Sequence, residues 1–355
     1  MKNWRIWLVI SLVILVLQRD FILLRDFDSY YEILRFTLMS EPSNREEFAM
    51  SPRTKWAKRL ATRRPPASGR KPTDRISARD GSMTVDELQT FHRQFQPLFQ
   101  RCEQRAWSLL ALRLCGQLSN LERKTIEPMV LSLLGADPNA IRGMQQFIGQ
   151  GEWDSAPLML HAQDLVSAWL GEEDGVVIVD GSGFPKQGSH SVGVAHQYCG
   201  ALGKIANCQE GVFLVYANRR GYAFVDERLY VPEEWFKDES RKRRKTCRMP
   251  ETLTFHTEPE LGLEMITALV ERNVLPFRWV TCDEKYGKIP AFLEGIAALD
   301  KWYLAEVPAD TRVWLRTPAI EPPEPGLLGR PRIYPRVKRT ALPPLELRAL
   351  MTQLS

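Results

Sequence analysis

The apolar period of this 355-residue chain changes once, and that change limits the fold more than any other feature. After Met83 the large apolar residues recur three or four apart, as Leu88, Phe91, Phe95 and Leu98 do. That is the spacing of an amphipathic helix. Thr84-Val-Asp-Glu87 and Ser119-Asn-Leu-Glu122 both read as capping boxes at helix starts. Gly135 is suited to stop a helix, Asp137-Pro138 to cap and begin the next, and Leu158–Leu170 to form another. At Val176 the pattern becomes short, continuous and β-branched, the mark of a strand buried on both faces.

Beyond that switch the elements follow in a definite order. Val176–Val179, Val212–Ala217 and Tyr222–Val231 read as strands, the last two joined by the hairpin turn Asn218-Arg-Arg-Gly221. A helix is expected over Pro259–Arg272, a strand over Phe277–Cys282, a helix over Gly287–Leu299 and a strand over Trp302–Val307. The order β-β-β-α-β-α-β is that of a ribonuclease H-like core: an α/β fold with a mixed five-stranded sheet, here preceded by a helical domain. In that order the ends of the first and fourth strands lie side by side. Asp180 and Asp283 stand at those two ends. Two close carboxylates repel unless a divalent cation neutralises them, and Mg²⁺ accepts carboxylate oxygens while keeping positions for water and phosphate. Two such ions can activate an attacking oxygen and stabilise a leaving one in phosphodiester cleavage. Each aspartate taken alone could simply cap a turn. Their matched positions favour metal binding and catalysis.

Three stretches carry a family resemblance. Asp180-Gly-Ser-Gly-Phe-Pro-Lys-Gln-Gly188, His190-Ser-Val-Gly-Val-Ala-His-Gln-Tyr-Cys-Gly200 and Gly203-Lys-Ile-Ala-Asn-Cys-Gln209 closely resemble the first catalytic block of DDE transposases from bacterial insertion sequences. The branch is the one whose block reads D-x-S-G-F-P-K-x-G. Cys282-Asp-Glu-Lys-Tyr-Gly287 resembles the second block, and Trp302-Tyr-Leu-Ala-Glu-Val-Pro308 the strand after it. The resemblance runs from about Met83 to the C-terminus. It implies metal-dependent cleavage at transposon ends followed by strand transfer, with Mg²⁺ or Mn²⁺ held by Asp180 and Asp283. It also implies transposon-end and target DNA as partners, a homodimer in a synaptic complex, no membrane partner, and a cytoplasmic, nucleoid-associated location.

The family's third acid is a glutamate on a helix after the last core strand, within a segment that does not occur here. Glu306 falls in the last strand, where an outward or edge position is the expected reading. Glu321 and Glu324 lie among prolines, and Glu346 is expected on a short terminal helix. The expectation is a C-terminally truncated copy, whose alternative role is that of a catalytically inactive DNA-binding remnant. Lys186, His190 and Lys204 lie in or near the polar loop beside Asp180 and are candidates for phosphate or a flipped base. The run Arg241-Lys-Arg-Arg-Lys245 (Arg241, Lys242, Arg243, Arg244, Lys245) is a candidate phosphate rail beside a nuclease core, although such runs are often just solvated. Tyr286 and Gly287 are expected to shape the turn after Asp283, and His196 and His256 receive no role.

Composition agrees with a DNA enzyme without requiring one. The net charge is +5, with 44% hydrophobic and 26% charged residues. Six cysteines form no C-x-x-C pair, so reduced thiols are expected and a zinc site is not. The first eighty residues differ from the rest. Ile6–Leu17 is an apolar run too short to span a bilayer, and Arg53–Arg79 holds ten Lys or Arg against the single acid Asp74. Such a stretch is expected to be disordered, either a phosphate-gripping arm or a leader from an upstream start codon. The expected organisation is an extension over 1–82, a helical DNA-binding domain over 83–172, a ribonuclease H-like core over 173–308, and the start of an insertion or a shortened C-terminal part over 309–355.

Overall fold

The computed structural model describes residues 88–99, 104–119, 121–151, 153–323 and 334–354. The apolar run at 6–17, the basic stretch at 53–79, the capping box at 84–87 and Glu324 lie outside the described residues. A sheet of six strands orders the rest: β1 (Val176–Pro185), β2 (Ala195–Cys199), β3 (Lys204–Asn218), β4 (Gly221–Tyr230), β5 (Trp279–Cys282) and β6 (Trp302–Ala305). The strand order is β2-β3-β1-β5-β6, with β4 paired to β3. β1 and β5 are parallel, as are β5 and β6. This is a ribonuclease H-like α/β arrangement behind a helical region. It has one strand more than the five expected, because His190–Gln209 itself folds into a hairpin, β2 antiparallel to the start of β3.

The described chain divides into two compact units. One takes the residues up to Val166 together with Gly183–Glu210 and Val231–Glu251; the other takes Ser167–Ser182, Gly211–Tyr230 and the chain from Thr252 onward.

In the first unit, a helical turn over 88–93 leads to α1 (Gln104–Leu118), α2 (Ile126–Leu134), α3 (Pro138–Gln150) and the start of α4 (Ser155–Leu170). Phe99, Phe147 and Trp153 stack with centroids 5.9–6.1 Å apart, and the Trp153 indole N–H donates to the Phe147 carbonyl at 2.8 Å. α1 lies close enough on α2 that a Cβ at Gly116 would sit 2.5 Å from the Met129 sulfur. Asp137 caps α3 through the Asn139 N–H, and Gly135 ends α2 at φ 77°, both as expected from sequence. Ser119 does not start a helix. It follows α1, its hydroxyl donates to the Gly116 carbonyl, and α2 begins only after Thr125.

In the second unit, α6 (Glu258–Arg272) and α8 (Pro290–Ala298) pack on each other and on the sheet, with the short α7 (Glu284–Gly287) between β5 and α8. (α5, Arg241–Thr246, belongs to the first unit.) Thr257 starts α6 with a full capping box to Glu260. Gly262 lets α6 approach β1, since a Cβ there would meet Val179 at 3.1 Å and Phe292 at 3.5 Å. Val177, Val179, Val280 and Cys282 fill this core, whereas Val176, Ile178, Trp279 and Thr281 are only half-buried. The central strands are therefore sealed on one face and partly covered on the other, rather than buried on both. Two small ladders follow: β7 (Arg312–Val313) with β10 (Leu345–Glu346), and β8 (Ile320–Glu321) with β9 (Arg336–Val337). Glu346 is thus a strand residue, and the terminal helix α9 (Leu347–Leu354) begins one position later. Among the described residues no helix is long and apolar enough to cross a membrane.

Candidate active site

β1 does not stop at Asp180. It continues through Gly181-Ser-Gly-Phe to Pro185, so the glycine-rich stretch is strand rather than loop. The reason is local crowding. A Cβ at Gly183 would lie 2.8 Å from a Glu210 carboxylate oxygen and 2.9 Å from the Cys199 sulfur, which only glycine can tolerate without a shift.

The register ends one residue short of each aspartate. Val179 pairs with Cys282, and Cys282 pairs with Ala305. The next residues along the three strands are Asp180, Asp283 and Glu306. Parallel neighbours lie about 4.8 Å apart and partnered residues point to the same side of the sheet. Asp180 is exposed and its Oδ1 accepts from the Gly181 N–H at 2.7 Å. Asp283 is half-buried and caps α7, accepting from the Lys285 N–H at 2.9 Å. Glu306 is exposed, one residue past β6, and its N–H extends the ladder to the Cys282 carbonyl at 3.1 Å. Burial pushes the Cys282 thiol up to about 11, with smaller contributions from the charges of Asp283 and Glu306.

The turn after Asp283 is fixed by packing. Tyr286 is fully buried beside Phe292, ring centroids 5.5 Å apart. Gly287 abuts the end of β6, where a Cβ would fall 2.0 Å from the Glu306 carbonyl oxygen and 3.0 Å from the Ala305 Cβ. Lys285 pairs with Glu258 of α6. These contacts anchor the element that carries Asp283.

The two aspartates offer hard oxygen donors with access to solvent, which is what Mg²⁺ or Mn²⁺ needs if it is to keep water and phosphate in its shell. The donor chemistry fits. Among the described residues, however, no group of three or more His, Cys, Asp or Glu side chains converges to hold an ion. Glu321 instead pairs with Arg336 at 2.8 Å, and Glu346 with Arg348 at 3.2 Å.

The cationic candidates all belong to the first unit. Lys186 is half-buried, and desolvation lowers its ammonium to about 8. Its backbone is gripped by Asn207: the Lys186 N–H donates to the Asn207 carbonyl, and the Asn207 amide donates to the carbonyls of Lys186 (2.9 Å) and Gly188 (2.8 Å). Asn207 was missed in the sequence. Its signal was an asparagine in a strand, a residue type depleted there. His190 and Lys204 are exposed. On α5, Arg241, Lys242 and Lys245 are exposed, but Arg243 and Arg244 are structural. Arg243 donates to the carbonyls of Ser189 and Val194 and lies 3.9 Å over the Trp235 ring. Arg244 donates to the carbonyls of Trp235 and Lys237. The expected rail of five therefore presents three free-standing cations on its helix.

Comparison with known proteins bears on this arrangement directly. The chain is 26% identical over 214 residues to a protein described as a probable transposase for insertion sequence element IS701, from Microchaete diplosiphon. The match takes in 60% of this chain and 51% of that protein, so the chain spans about half the length of the curated relative it matches. The profile of the DDE superfamily endonucleases matches residues 94–354, which include β1, β5 and both aspartates. With that match over most of its length and a ribonuclease H-like sheet, the chain belongs to the DDE superfamily of endonucleases.

Proposed function

We propose that this protein cleaves DNA strands at the ends of an insertion sequence in a metal-dependent reaction and joins the freed 3′-hydroxyl to target DNA. The observation that carries this reading is that Asp180 and Asp283 directly follow Val179 and Cys282, the last pair of the parallel β1–β5 ladder. In it, Asp180 and Asp283 hold Mg²⁺ or Mn²⁺, and the helical segment and cationic side chains hold DNA. A bound ion would supply charge neutralisation at the scissile phosphate and a more acidic attacking oxygen. The chain's own part is positional. β1 and β5 fix the two carboxylates through the sheet register, and the buried Tyr286 and the Gly287 contact keep Asp283 from moving with its turn.

A second reading has a specific observation behind it. The absence of a third converging carboxylate among the described residues favours a chain that grips DNA but cuts poorly. One experiment separates the two. Duplexes carrying the element's own terminal repeats are incubated with protein and Mg²⁺ or Mn²⁺, and Mn²⁺ binding is followed by electron paramagnetic resonance. The cutting reading expects strand cleavage, with a loss of about a thousandfold in Asp180→Ala or Asp283→Ala, since several kcal/mol of transition-state stabilisation depend on the ions. It also expects weaker Mn²⁺ binding in both variants. Salt-sensitive DNA binding without cleavage supports the second reading. Cleavage that survives Asp283→Ala refutes the assignment of the site.

A further inference from the structure

The hairpin formed by β2 and the start of β3 has two unlike faces. Ala195, Cys199 and Cys208 are buried on one, packed where Gly183 and Glu210 leave no spare room. On the other, Tyr198 pairs across the strands with Ile205, and His196 with Asn207. Tyr198 is 63% exposed and Ile205 62% exposed. Leu202, in the tight turn Gly200–Leu202 at the tip, is 46% exposed. A single exposed aromatic needs no explanation. An exposed aromatic paired across the strands with an exposed β-branched residue, three residues from an exposed leucine in the turn, does.

Side-chain hydrogen bonds fix the hairpin behind its tip. The Gln197 amide donates to the Cys208 carbonyl, the Gln209 amide donates to the Val192 carbonyl, and Asn207 clamps the chain at 186–188. The register cannot slip by one residue without burying Tyr198 and expelling Cys199. Val194, the residue before β2, accepts from both the Trp235 indole and the Arg243 guanidinium, which ties the base of the hairpin to the basic helix α5.

The charge around the tip selects the partner. No Asp or Glu occurs from Gly181 to Gln209, while Lys186, Lys204, His190 and His196 do. Glu210, the next acid, is buried. α5 adds the exposed Arg241, Lys242 and Lys245 in the same unit. The exposed acids of that unit's neighbouring segment, Glu233, Glu234, Asp238, Glu239 and Glu251, flank α5 and do not lie on the hairpin. An apolar, aromatic tip on a segment that carries basic but no acidic residues fits a nucleic-acid strand whose bases are accessible.

We propose that the hairpin is a DNA wedge: Tyr198, flanked by Ile205 and Leu202, stacks on a base left unpaired where the duplex is opened, while Lys204 and the α5 cations hold the adjoining phosphates. This rests on the proposal that the protein acts on DNA, and it adds a residue set and a substrate feature, the distorted base step, to that reading.

The test uses the full chain and a short duplex containing one abasic step opposite 2-aminopurine, compared with the same duplex fully paired. The wild type is expected to bind the abasic duplex about tenfold more tightly and to quench 2-aminopurine on binding. Tyr198→Ala should bring the two affinities to near parity and remove the quench, Tyr198→Phe should retain both, and Ile205→Ser should weaken the preference. Because Tyr198 is mostly exposed, circular dichroism of the Ala variant should match the wild type. A preference and quench that persist in Tyr198→Ala overturn the wedge while leaving DNA binding intact. Self-association of the wild type that Tyr198→Ala abolishes, with DNA affinity unchanged, makes the tip a protein interface and also overturns it. No binding of either duplex overturns the wedge together with the DNA reading beneath it.

Discussion

Gly287→Ala puts the architecture of the candidate site under direct test, because two physical effects oppose each other there. Gly287 closes α7, and its backbone is not in the left-handed region, so alanine should fit the helix and contribute up to about 1 kcal/mol of propensity. Against this, the new methyl carbon would lie 2.0 Å from the Glu306 carbonyl oxygen, where ordinary contact begins at 3.4 Å. The obstacle is backbone, not a flexible side chain, and Glu306 is itself held by its N–H bond to the Cys282 carbonyl. α7 or the end of β6 must therefore retreat by roughly 1 Å or more, and overpacking of this kind costs about 1–3 kcal/mol. The clash wins by about 1–2 kcal/mol. For a domain of this size each kcal/mol moves the melting temperature by about 2–4 °C, so a fall of roughly 2–8 °C is expected. The consequence for the site is larger. Asp283 caps the same turn, and a displacement near 1 Å at a reacting group can cost about a hundredfold in rate. Thermal unfolding by circular dichroism and Mg²⁺-dependent cleavage, both on the full chain, read the two effects. An unchanged or raised melting temperature would show that α7 does not lean on β6, and the account of how Asp283 is held would fail with it.

Two further outcomes follow from titrating groups. Lys186 is lowered to about 8, so its cation is present at pH 7 and is lost as pH rises through 8; DNA affinity at constant ionic strength should fall between pH 7 and pH 9 in the wild type but stay nearly flat in Lys186→Arg, and parallel curves would remove Lys186 from the contact surface. Burial raises Cys208 to about 12 and Cys282 to about 11, so the folded chain keeps protons that the unfolded chain releases above about pH 9; the melting temperature should decline from pH 9 toward 11, and Cys208→Ser with Cys282→Ser should blunt that decline.

Much of the second unit was legible because local and tertiary signals agree in it. The helix expected from Pro259 begins at Glu258 and ends at Arg272 as read, since Thr257 and Glu260 cap one end and Asn273 turns left-handed at the other. The hairpin at Asn218–Gly221 forms because the Asn218 side chain accepts from the N–H groups of Arg220 and Gly221. The misreadings concentrate where tertiary packing overrides composition. Gly181-Ser-Gly-Phe-Pro185 looks like loop and is strand, because Cys199 and Glu210 occupy the space beside Gly183. β3 starts at Lys204, eight residues ahead of its apolar run, and carries Asn207, Gln209 and Glu210 through a strand whose polar side chains are largely buried. A short apolar run shows where a strand is deepest; it does not show where neighbouring strands extend it.

The same limit explains the uneven reading of the acids. Asp180 and Asp283 follow apolar runs in the sequence, so strand order alone predicts that they are neighbours, and the register agrees. Glu306 needs the register itself. Only the pairing of Cys282 with Ala305 reveals that the residue after Ala305 continues the row of Asp180 and Asp283. Its N–H bond to Cys282 and its effect on the Cys282 thiol place its charge near that of Asp283. Among the described residues the three side chains do not converge as a preformed cage. As the proposed cation site, Asp180 and Asp283 alone are an incomplete set of ligands. On the proposal that Asp180 and Asp283 hold the ion, its binding should be weak and readily exchanged, and a DNA phosphate, itself an oxygen donor, would add to the ligand set.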